Sequence, residues 1–175
     1  MTDASYEVQV FCLNAASMGV PQKRERVFFI GHKKELKFKK LKLEFNEKPI
    51  LFKEIENYSN NLDKLSDNYI PYWNWCKRNK DSDFGKYGEI LKGKRTNFNH
   101  RLIFNNQVCD TIATTCQLTI ENEPRYITDS EAIQIGAYPL DYDFQNLQPK
   151  YLIGMSVPPV MTAQIANQIY LQWFK

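Results

Sequence analysis

The chain of 175 residues contains 43% hydrophobic and 25% charged residues, a composition typical of a globular protein and not of a disordered one. No wholly apolar stretch is long enough to span a bilayer, and the N-terminus lacks the basic and apolar residues of a secretion signal. The 4 cysteines and 2 histidines have no metal-ligand spacing, which argues against a zinc site and is typical of reduced thiols in a cytoplasmic protein.

The net charge of +3 is spread unevenly along the chain. One group of lysines lies between residues 33 and 42, and a second basic group lies between residues 77 and 101. Such a group is either a solvated face or a surface that follows a DNA backbone by neutralising its phosphates. We expect double-stranded DNA rather than a membrane as the partner, since no amphipathic basic helix accompanies these residues.

Two apolar segments near the N-terminus, residues 6–13 and 27–30, have the pattern of paired strands joined by a turn that contains Gly19 and Pro21. Both faces of this strand pair are apolar, so we expect each face to be buried against other structure. Two strands do not form a stable sheet alone, and a further part of the protein is expected to cover them.

The turn carries Gln22, Arg24 and Arg26, which alternation in an extended segment places on one face. Two guanidiniums held on one face suit a phosphate or the oxygen-rich edge of a base. The alternative is a basic edge strand whose arginines are simply solvated.

The middle of the chain, residues 37–123, has no repeat and no single strong period. Apolar spacing at Leu51, Ile55, Tyr58, Leu62 and Leu65 predicts a helix over residues 51–65, whereas residues 102–104 and 108–115 have the pattern of short strands. An aromatic segment at residues 69–75 is interrupted by a proline, and its rings favour a core over a stacking platform. The region is therefore predicted to be a small, mostly β or irregular domain.

Within this region a short polar segment combines guanidiniums, amides and a hydroxyl, the side chains that read base edges. Turns are also rich in asparagine, so base contacts and an ordinary turn both remain open. The candidate DNA-binding residues of the segment are Arg95, Thr96, Asn97, Asn99 and Arg101.

The C-terminal segment begins with a capping box, Thr128 with Glu131, which predicts a short helix that ends at Gly136. A last helix is predicted to begin at Pro158 or Pro159, where a missing N–H costs no bond. Its apolar stripe at i, i+4 spacing indicates core packing. The stripe consists of Met161, Ile165, Ile169 and Trp173.

Three blocks of the sequence resemble motifs of the DNA (cytosine-5) methyltransferases, in the family's order. Residues 14–31 contain the Gln-x-Arg-x-Arg signature of motif VIII, residues 125–139 resemble motif IX, and residues 152–159 resemble motif X. The resemblance implies an α/β fold, the C-terminal portion of a Rossmann-like class I methyltransferase with a hairpin, closing helices and a small target-recognition domain. The implied domains are residues 1–36, the recognition domain 37–124, and residues 125–175.

By this resemblance the complete enzyme methylates C5 of a flipped cytosine with S-adenosylmethionine, in a bacterial or phage restriction–modification system. Arg26 is expected at O2 of the flipped cytosine and the neighbouring phosphate. Arg24 is expected to support the nucleophile loop or the backbone, and Gln22 to position the DNA strand or help fill the gap.

The other motif residues receive implied roles in the same way. Thr111 and Ile112 resemble the family's Thr-Leu pair and are candidate DNA contacts, although a strand-edge threonine explains Thr111 equally well. Arg125 and Glu131 are expected to have a structural role, and capping alone accounts for Glu131. Met155, Ser156 and Val157 match the positions that close the cofactor pocket, with Met155 where the family has asparagine.

Several family elements that precede motif VIII do not occur in this sequence. They are the Gly-rich cofactor loop, the Pro-Cys nucleophile and the Glu-Asn-Val block, and none of the four cysteines follows a proline. We therefore expect a C-terminal part that works with an N-terminal catalytic half and that neither methylates DNA nor binds the cofactor alone. The alternatives are a stand-alone, non-catalytic DNA-binding module and an inactive remnant.

Overall fold

The computed structural model describes residues 5–57 and 62–175, which form a mixed α/β arrangement as predicted. No described helix is long and apolar enough to cross a membrane. The strands are β1 (Tyr6–Asn14), β2 (Glu25–Lys33), β3 (His100–Ile103) and β4 (Gln117–Ile120). The helices are α1 (Ile70–Asn79), α2 (Phe84–Lys92), α3 (Asp129–Ile135), α4 (Pro149–Met155) and α5 (Pro159–Trp173).

The predicted strand pair is confirmed as an antiparallel hairpin of β1 and β2, with Tyr6 opposite Lys33 and Asn14 opposite Glu25. The inner face of the hairpin packs against Met161 and Ile165 of α5, which begins at Pro159 as predicted. The outer face is exposed, and no described residue supplies the cover that is expected on that side. Its most exposed large apolar side chains are Val10 at 58%, Val27 at 55% and Phe29 at 66%.

The chain after β2 stays with the hairpin and α5. Leu41 and Leu43 are buried in the same core cluster as Met161. The Gln9 amide donates to the carbonyl oxygen of Leu41 at 3.0 Å and accepts from its N–H at 2.8 Å, which fixes this segment beside β1. Residues 41–43 therefore pack with the hairpin, although the expected domain boundary at residue 36 assigns them to the next domain.

The small domain contains helices α1 and α2, where the sequence predicted mostly strands or irregular structure. Pro71 lies in the first turn of α1, a position where its missing N–H costs no bond, so it starts the helix instead of breaking a segment. Asp83 caps α2 through a 2.8 Å hydrogen bond from the Gly85 N–H. Trp73 is buried and donates to the Ile120 carbonyl at 2.8 Å, which confirms the predicted core role of the aromatics.

Two local predictions in this region are wrong. In place of a helix over residues 51–65, the structure has a 3-10 turn at Phe52–Glu54, whereas Tyr58 lies outside the described residues. Long-range bonds replace the helical ones here, because the N–H groups of Phe52 and Lys53 donate to the carbonyls of Gln107 and Asn105. Residues 108–115 form no strand element; the regular strand is β4, which pairs in parallel with β3.

The predicted helix after Thr128 is confirmed as α3, with the complete capping box. Its buried face shares one core with the strands of the small domain, so the expected boundary at residue 124 runs through a common core. The members of this core include Ile103, Ile112, Ile120, Ala132, Ile135 and Ile153.

Candidate functional site

The turn between β1 and β2 is closed by its own backbone. The Ala15 N–H donates to the Arg24 carbonyl at 3.0 Å, and the Asn14 side chain caps a 3-10 turn by accepting from the Ala16 N–H at 3.0 Å. Gly19 has φ +74°, a left-handed conformation that glycine adopts without strain. The turn therefore delivers residues 22–26 to β2 in a fixed conformation.

Arg24 is the centre of the site and is only 1% exposed. Its guanidinium donates to the carbonyl oxygens of Ile112 at 2.8 Å, Gly154 at 2.8 Å and Ser156 at 2.7 Å, and to the Gln22 side chain at 3.2 Å. All four acceptors are neutral, and two lie at the C-terminal end of α4, where the helix dipole is negative. Burial lowers the pKa of the Arg24 guanidinium, and the Arg26 charge lowers this pKa further.

Gln22 is 0% exposed, so the expectation that it positions a DNA strand or fills a gap is wrong. Its amide donates to the Ile135 carbonyl at 3.3 Å and accepts from the Ile112 N–H at 3.3 Å. These bonds hold residue 112 against the motif VIII turn. The Gln22 side chain thus serves the protein interior and cannot reach a ligand.

Arg26 is the guanidinium of this pair that reaches the surface. It lies opposite Leu13 in the hairpin, and alternation places it on the same face as Arg24. Its guanidinium donates to the Glu25 carbonyl at 2.6 Å in an exposed bond. The Arg26 side chain is therefore accessible to a ligand, and its expected role at the base stays a prediction.

A polar recess of about 250 Å³ lies beside this turn, lined by Lys23, Arg101, Asp110 and Thr111. The Thr111 hydroxyl donates to the Lys23 carbonyl. Arg101 pairs with Asp110 at 2.9 Å and donates to Ser82 at 3.0 Å. Two cations against one carboxylate leave a net positive recess, which suits a phosphate oxygen. Lys23 is not among the residues predicted from the sequence. Its carbonyl accepts from the Thr111 hydroxyl across 88 residues, and no local pattern indicates this bond.

The remaining predicted DNA-binding residues divide into surface and interior groups. Arg95 pairs with Asp83, and the Asn99 amide donates to the Thr115 carbonyl at 3.2 Å, both near the surface. Asn97 has φ +57° in a turn. Two side chains contradict a base-reading role: Ile112 is 1% exposed, and the Thr96 hydroxyl is a buried atom without a partner in the described structure.

The motif X turn exposes Met155 by 58% and Val157 by 38%. The Ser156 hydroxyl donates to the Ile153 carbonyl at 3.0 Å, and its own carbonyl is held by Arg24. A cavity of about 230 Å³ opens beside this turn, lined by Tyr138, Tyr142, Phe144, Leu152, Met155 and Ser156. None of these lining residues is charged, so they fit one apolar flank of a nucleoside cofactor and not its charged end.

Arg125 and Glu131 form a buried, two-pronged ion pair with both N···O distances at 2.8 Å. Glu131 also accepts from the N–H groups of Thr128 at 2.7 Å and Asn57 at 3.2 Å. Burial raises the pKa of Glu131, but the hydrogen bonds from Arg125, Thr128 and Asn57 outweigh burial, and the pKa lies below its usual value. This pair ties the start of α3 to residues 57 and 125.

The four thiols are poorly suited to nucleophilic attack. Burial raises the pKa of Cys76 to about 12, and burial also raises those of Cys109 and Cys116. Cys12 is exposed but pairs with Val27, whereas Arg26 pairs with Leu13. Alternation therefore puts the Cys12 thiol on the hairpin face opposite to Arg26.

The family model of the C-5 cytosine-specific DNA methylases matches residues 1–171 of the chain. The Type II methyltransferase M.FnuDI of Fusobacterium nucleatum is 34% identical over 91 residues, which cover 52% of this chain and 26% of that protein.

Solved structures agree in fold. A prophage-encoded E. coli protein described as a DNA modification methyltransferase superposes with a TM-score of 0.66 at 18% identity, over 99% of this chain and 62% of its own. The Entamoeba histolytica methyltransferase EhMeth gives 0.66 at 13% identity, over 99% of this chain and 56% of its own. DNMT2 of Spodoptera frugiperda gives 0.63 at 15% identity, over 97% and 59%. The chain thus spans part of the length of each relative, and by its family match it belongs to the C-5 cytosine-specific DNA methylases.

Proposed function

We propose that this chain is the DNA-recognition and cofactor-closing part of a DNA (cytosine-5) methyltransferase of a restriction–modification system. The observation that carries the proposal is the set of bonds made by Arg24. They join the motif VIII turn to Ile112 of the recognition region and to Gly154 and Ser156 of the motif X turn. Arg26, two residues from Arg24, remains accessible to a ligand.

The target of such an enzyme must leave the DNA stack, because its ring carbons are unreachable inside the duplex. Attack on the ring builds negative charge on the pyrimidine, and a cation at O2 stabilises this charge more than the ground state. Arg26 supplies that cation in our proposal. Lys23, Arg101 and Thr111 contact the phosphate backbone beside it through the net positive recess.

When bound, S-adenosylmethionine supplies the methyl group. Met155, Ser156 and Val157 form one apolar flank of its pocket, and Arg24 fixes their turn by holding the Ser156 carbonyl at 2.7 Å. The charged end of the cofactor needs polar partners that these residues lack. We therefore propose that such partners lie in a second segment, and that this chain alone binds the cofactor too weakly to use it.

The attacking sulfur also comes from outside this chain in our proposal. The Cys76 and Cys109 thiols are buried and their pKa values are raised, which keeps them protonated near neutral pH. Cys12 faces away from Arg26. These features support a chain that transfers no methyl group by itself.

The outer face of the hairpin is the proposed docking surface for the N-terminal catalytic half, either a separate subunit or the rest of one polypeptide. Val10, Val27 and Phe29 are each more than half exposed on this face, which is unusual for adjacent apolar side chains. The chain covers 62% or less of the solved relatives cited above, so those relatives contain additional protein to cover such a face.

Methyl transfer from labelled S-adenosylmethionine to duplex DNA tests this proposal. The assay compares this chain, an N-terminal segment bearing the Gly-rich loop and the Pro-Cys nucleophile, and the two combined. We expect transfer only in the combination. Activity of this chain alone would contradict the proposal. Tight, sequence-preferring DNA binding without activity in the combination would favour a stand-alone DNA-binding module.

A further inference from the structure

Among the described residues of the recognition region, one aromatic ring is exposed, at the tip of a closed turn. The Asn97 carbonyl accepts from the His100 N–H at 2.9 Å, and Asn97 itself has φ +57°. Phe98 follows Asn97 in this turn and is 71% exposed. Water does not stabilise so large an exposed apolar side chain, and a partner that covers it gains apolar burial.

Both sides of the turn are anchored to the domain, so the position of the ring is set by the backbone. On one side, the segment lies against α2 so closely that a β-carbon on Gly88 would stand 2.9 Å from the Thr96 carbonyl oxygen. Arg95 pairs with the Asp83 cap of the same helix. On the other side, the Gln117 N–H donates to the Asn99 carbonyl at 2.8 Å.

The sequence on both sides of Phe98 contains basic residues. Lys92, Lys94 and Arg95 precede it and are exposed. Arg101 follows three residues later, in β3, and lines the positive recess beside the motif VIII turn. An apolar ring among cations fits a nucleic acid, which offers phosphates to the cations and base faces to the ring, better than it fits an apolar protein surface.

We propose that Phe98 inserts as an apolar wedge at a base step of the bound duplex, while the flanking cations hold the adjacent phosphates. This inference rests on the proposed function, because it assumes that duplex DNA lies across the recess of Lys23 and Arg101. Side chains of this kind partly unstack the step that they enter and make a nearby base easier to remove from the helix. Since the turn is anchored on both sides, the ring is already in place before DNA arrives, and binding costs little ordering.

The test measures DNA binding by the intact chain and its Phe98 variants. Duplexes selected by the wild-type chain from a random-sequence library carry 2-aminopurine at successive positions, so that unstacking at a step raises fluorescence. The variants are Phe98→Ala and Phe98→Leu. The control is Phe174→Ala, because Phe174 is 64% exposed at the end of α5 and packs against Phe38, far along the hairpin from Arg26.

We expect the wild-type chain to raise fluorescence at one step. Phe98→Ala should abolish this increase and weaken binding by about 5- to 100-fold, the range for a lost base–aromatic contact. Phe98→Leu should keep part of both effects, since an aliphatic side chain still acts as a wedge. Phe174→Ala should match the wild type in affinity and in fluorescence.

The other outcomes overturn the inference in distinguishable ways. Wild-type binding with equal affinity and fluorescence for Phe98→Ala rejects the wedge and leaves the proposed function standing. Normal DNA binding by Phe98→Ala with lost assembly with the N-terminal segment assigns the ring to a protein interface instead. Failure of the wild-type chain to bind any duplex, with or without that segment, rejects both the wedge and the proposed function.

Discussion

The Arg24 guanidinium donates to the Ser156 carbonyl at 2.7 Å, across 132 residues of sequence. The same side chain reaches Gly154 and Ile112, so one buried cation connects three segments that are far apart in the chain. Arg26, two residues later, is accessible. The two arginines of the motif VIII signature therefore differ: Arg24 supports the fold, whereas Arg26 is accessible to a ligand.

Arg24→Met should destabilise the chain strongly. The methionine side chain leaves the carbonyls of Ile112, Gly154 and Ser156 in the interior without their donor, and even one such loss costs about 1–3 kcal/mol. Urea unfolding followed by circular dichroism measures the change in the free energy of unfolding. The matched control is Arg26→Met, which removes an exposed guanidinium and should change this free energy by less than about 0.5 kcal/mol. Equal stabilities of the two variants would contradict a structural role for Arg24.

Arg26→Ala should reduce methyl transfer by the combined halves by about 10²–10³-fold, the effect of one lost transition-state donor. Arg78→Ala is the control, because Arg78 is exposed on α1 and its guanidinium donates to the Asn74 carbonyl of its own helix. Turnover rates under saturating DNA separate a slower reaction from weaker binding. Near-wild-type turnover by Arg26→Ala would remove this residue from the chemistry.

Lys23→Ala should lower the salt dependence of DNA binding. If its ammonium neutralises one phosphate, the slope of log K against log [salt] should become less steep by about 0.9. Lys33→Ala is the control. Lys33 is the last residue of β2, about 23 Å along the strand from Arg26, so its loss should leave the slope unchanged. Equal slopes for wild type and Lys23→Ala would contradict a phosphate contact in the recess.

The Arg125–Glu131 pair should make stability depend on acid. Because the pKa of folded Glu131 lies below its usual value, the pair's contribution is fully present above that usual value, 4.5, and is lost as the pH falls through the folded pKa. Glu131→Gln should cost about 3–5 kcal/mol near neutral pH, as expected when one partner of a buried pair is removed, and should flatten the decline in acid.

The control for this pair is Lys150→Gln. Lys150 on α4 lies 3.7 Å from Asp129 on α3, but both side chains are at least one third exposed, so the loss should be about 0–1 kcal/mol. Unfolding free energies measured from neutral pH down to acid compare the variants. An acid profile of Glu131→Gln that parallels the wild type would show that Glu131 is not the group responsible.

Local patterns were sufficient to predict the hairpin, α3 and α5. Their signals are short-range: alternating apolar residues, the Thr128 capping box and the proline at the start of α5. Helix α1 was missed because Pro71 was interpreted as a break, although a proline in the first turn is compatible with a helix. The helix predicted over residues 51–65 does not form, because the backbone N–H groups of residues 52 and 53 donate to the carbonyls of residues 107 and 105.

The sequence was sufficient to predict which residues belong to the candidate site, but not which of their side chains are exposed. Alternation grouped Gln22, Arg24 and Arg26, yet only distant partners decide which of them are buried. The buried Gln22 amide bonds to the backbone of Ile112 and Ile135. The buried Arg24 guanidinium bonds to a carbonyl of the motif X turn. No pattern within ten or fifteen residues of the turn contains that information.

The polypeptide that supplies the attacking sulfur can be identified by trapping it covalently on DNA. Duplex DNA containing 5-fluorocytosine retains the enzyme sulfur on C6, because fluorine on C5 blocks release of the base after methyl transfer. The combined halves are incubated with this DNA and S-adenosylmethionine, and the product is separated on a denaturing gel. We expect covalent DNA on the N-terminal segment only when this chain is present, and much slower formation of this product with Arg26→Ala. Covalent DNA on a cysteine of this chain would contradict this expectation.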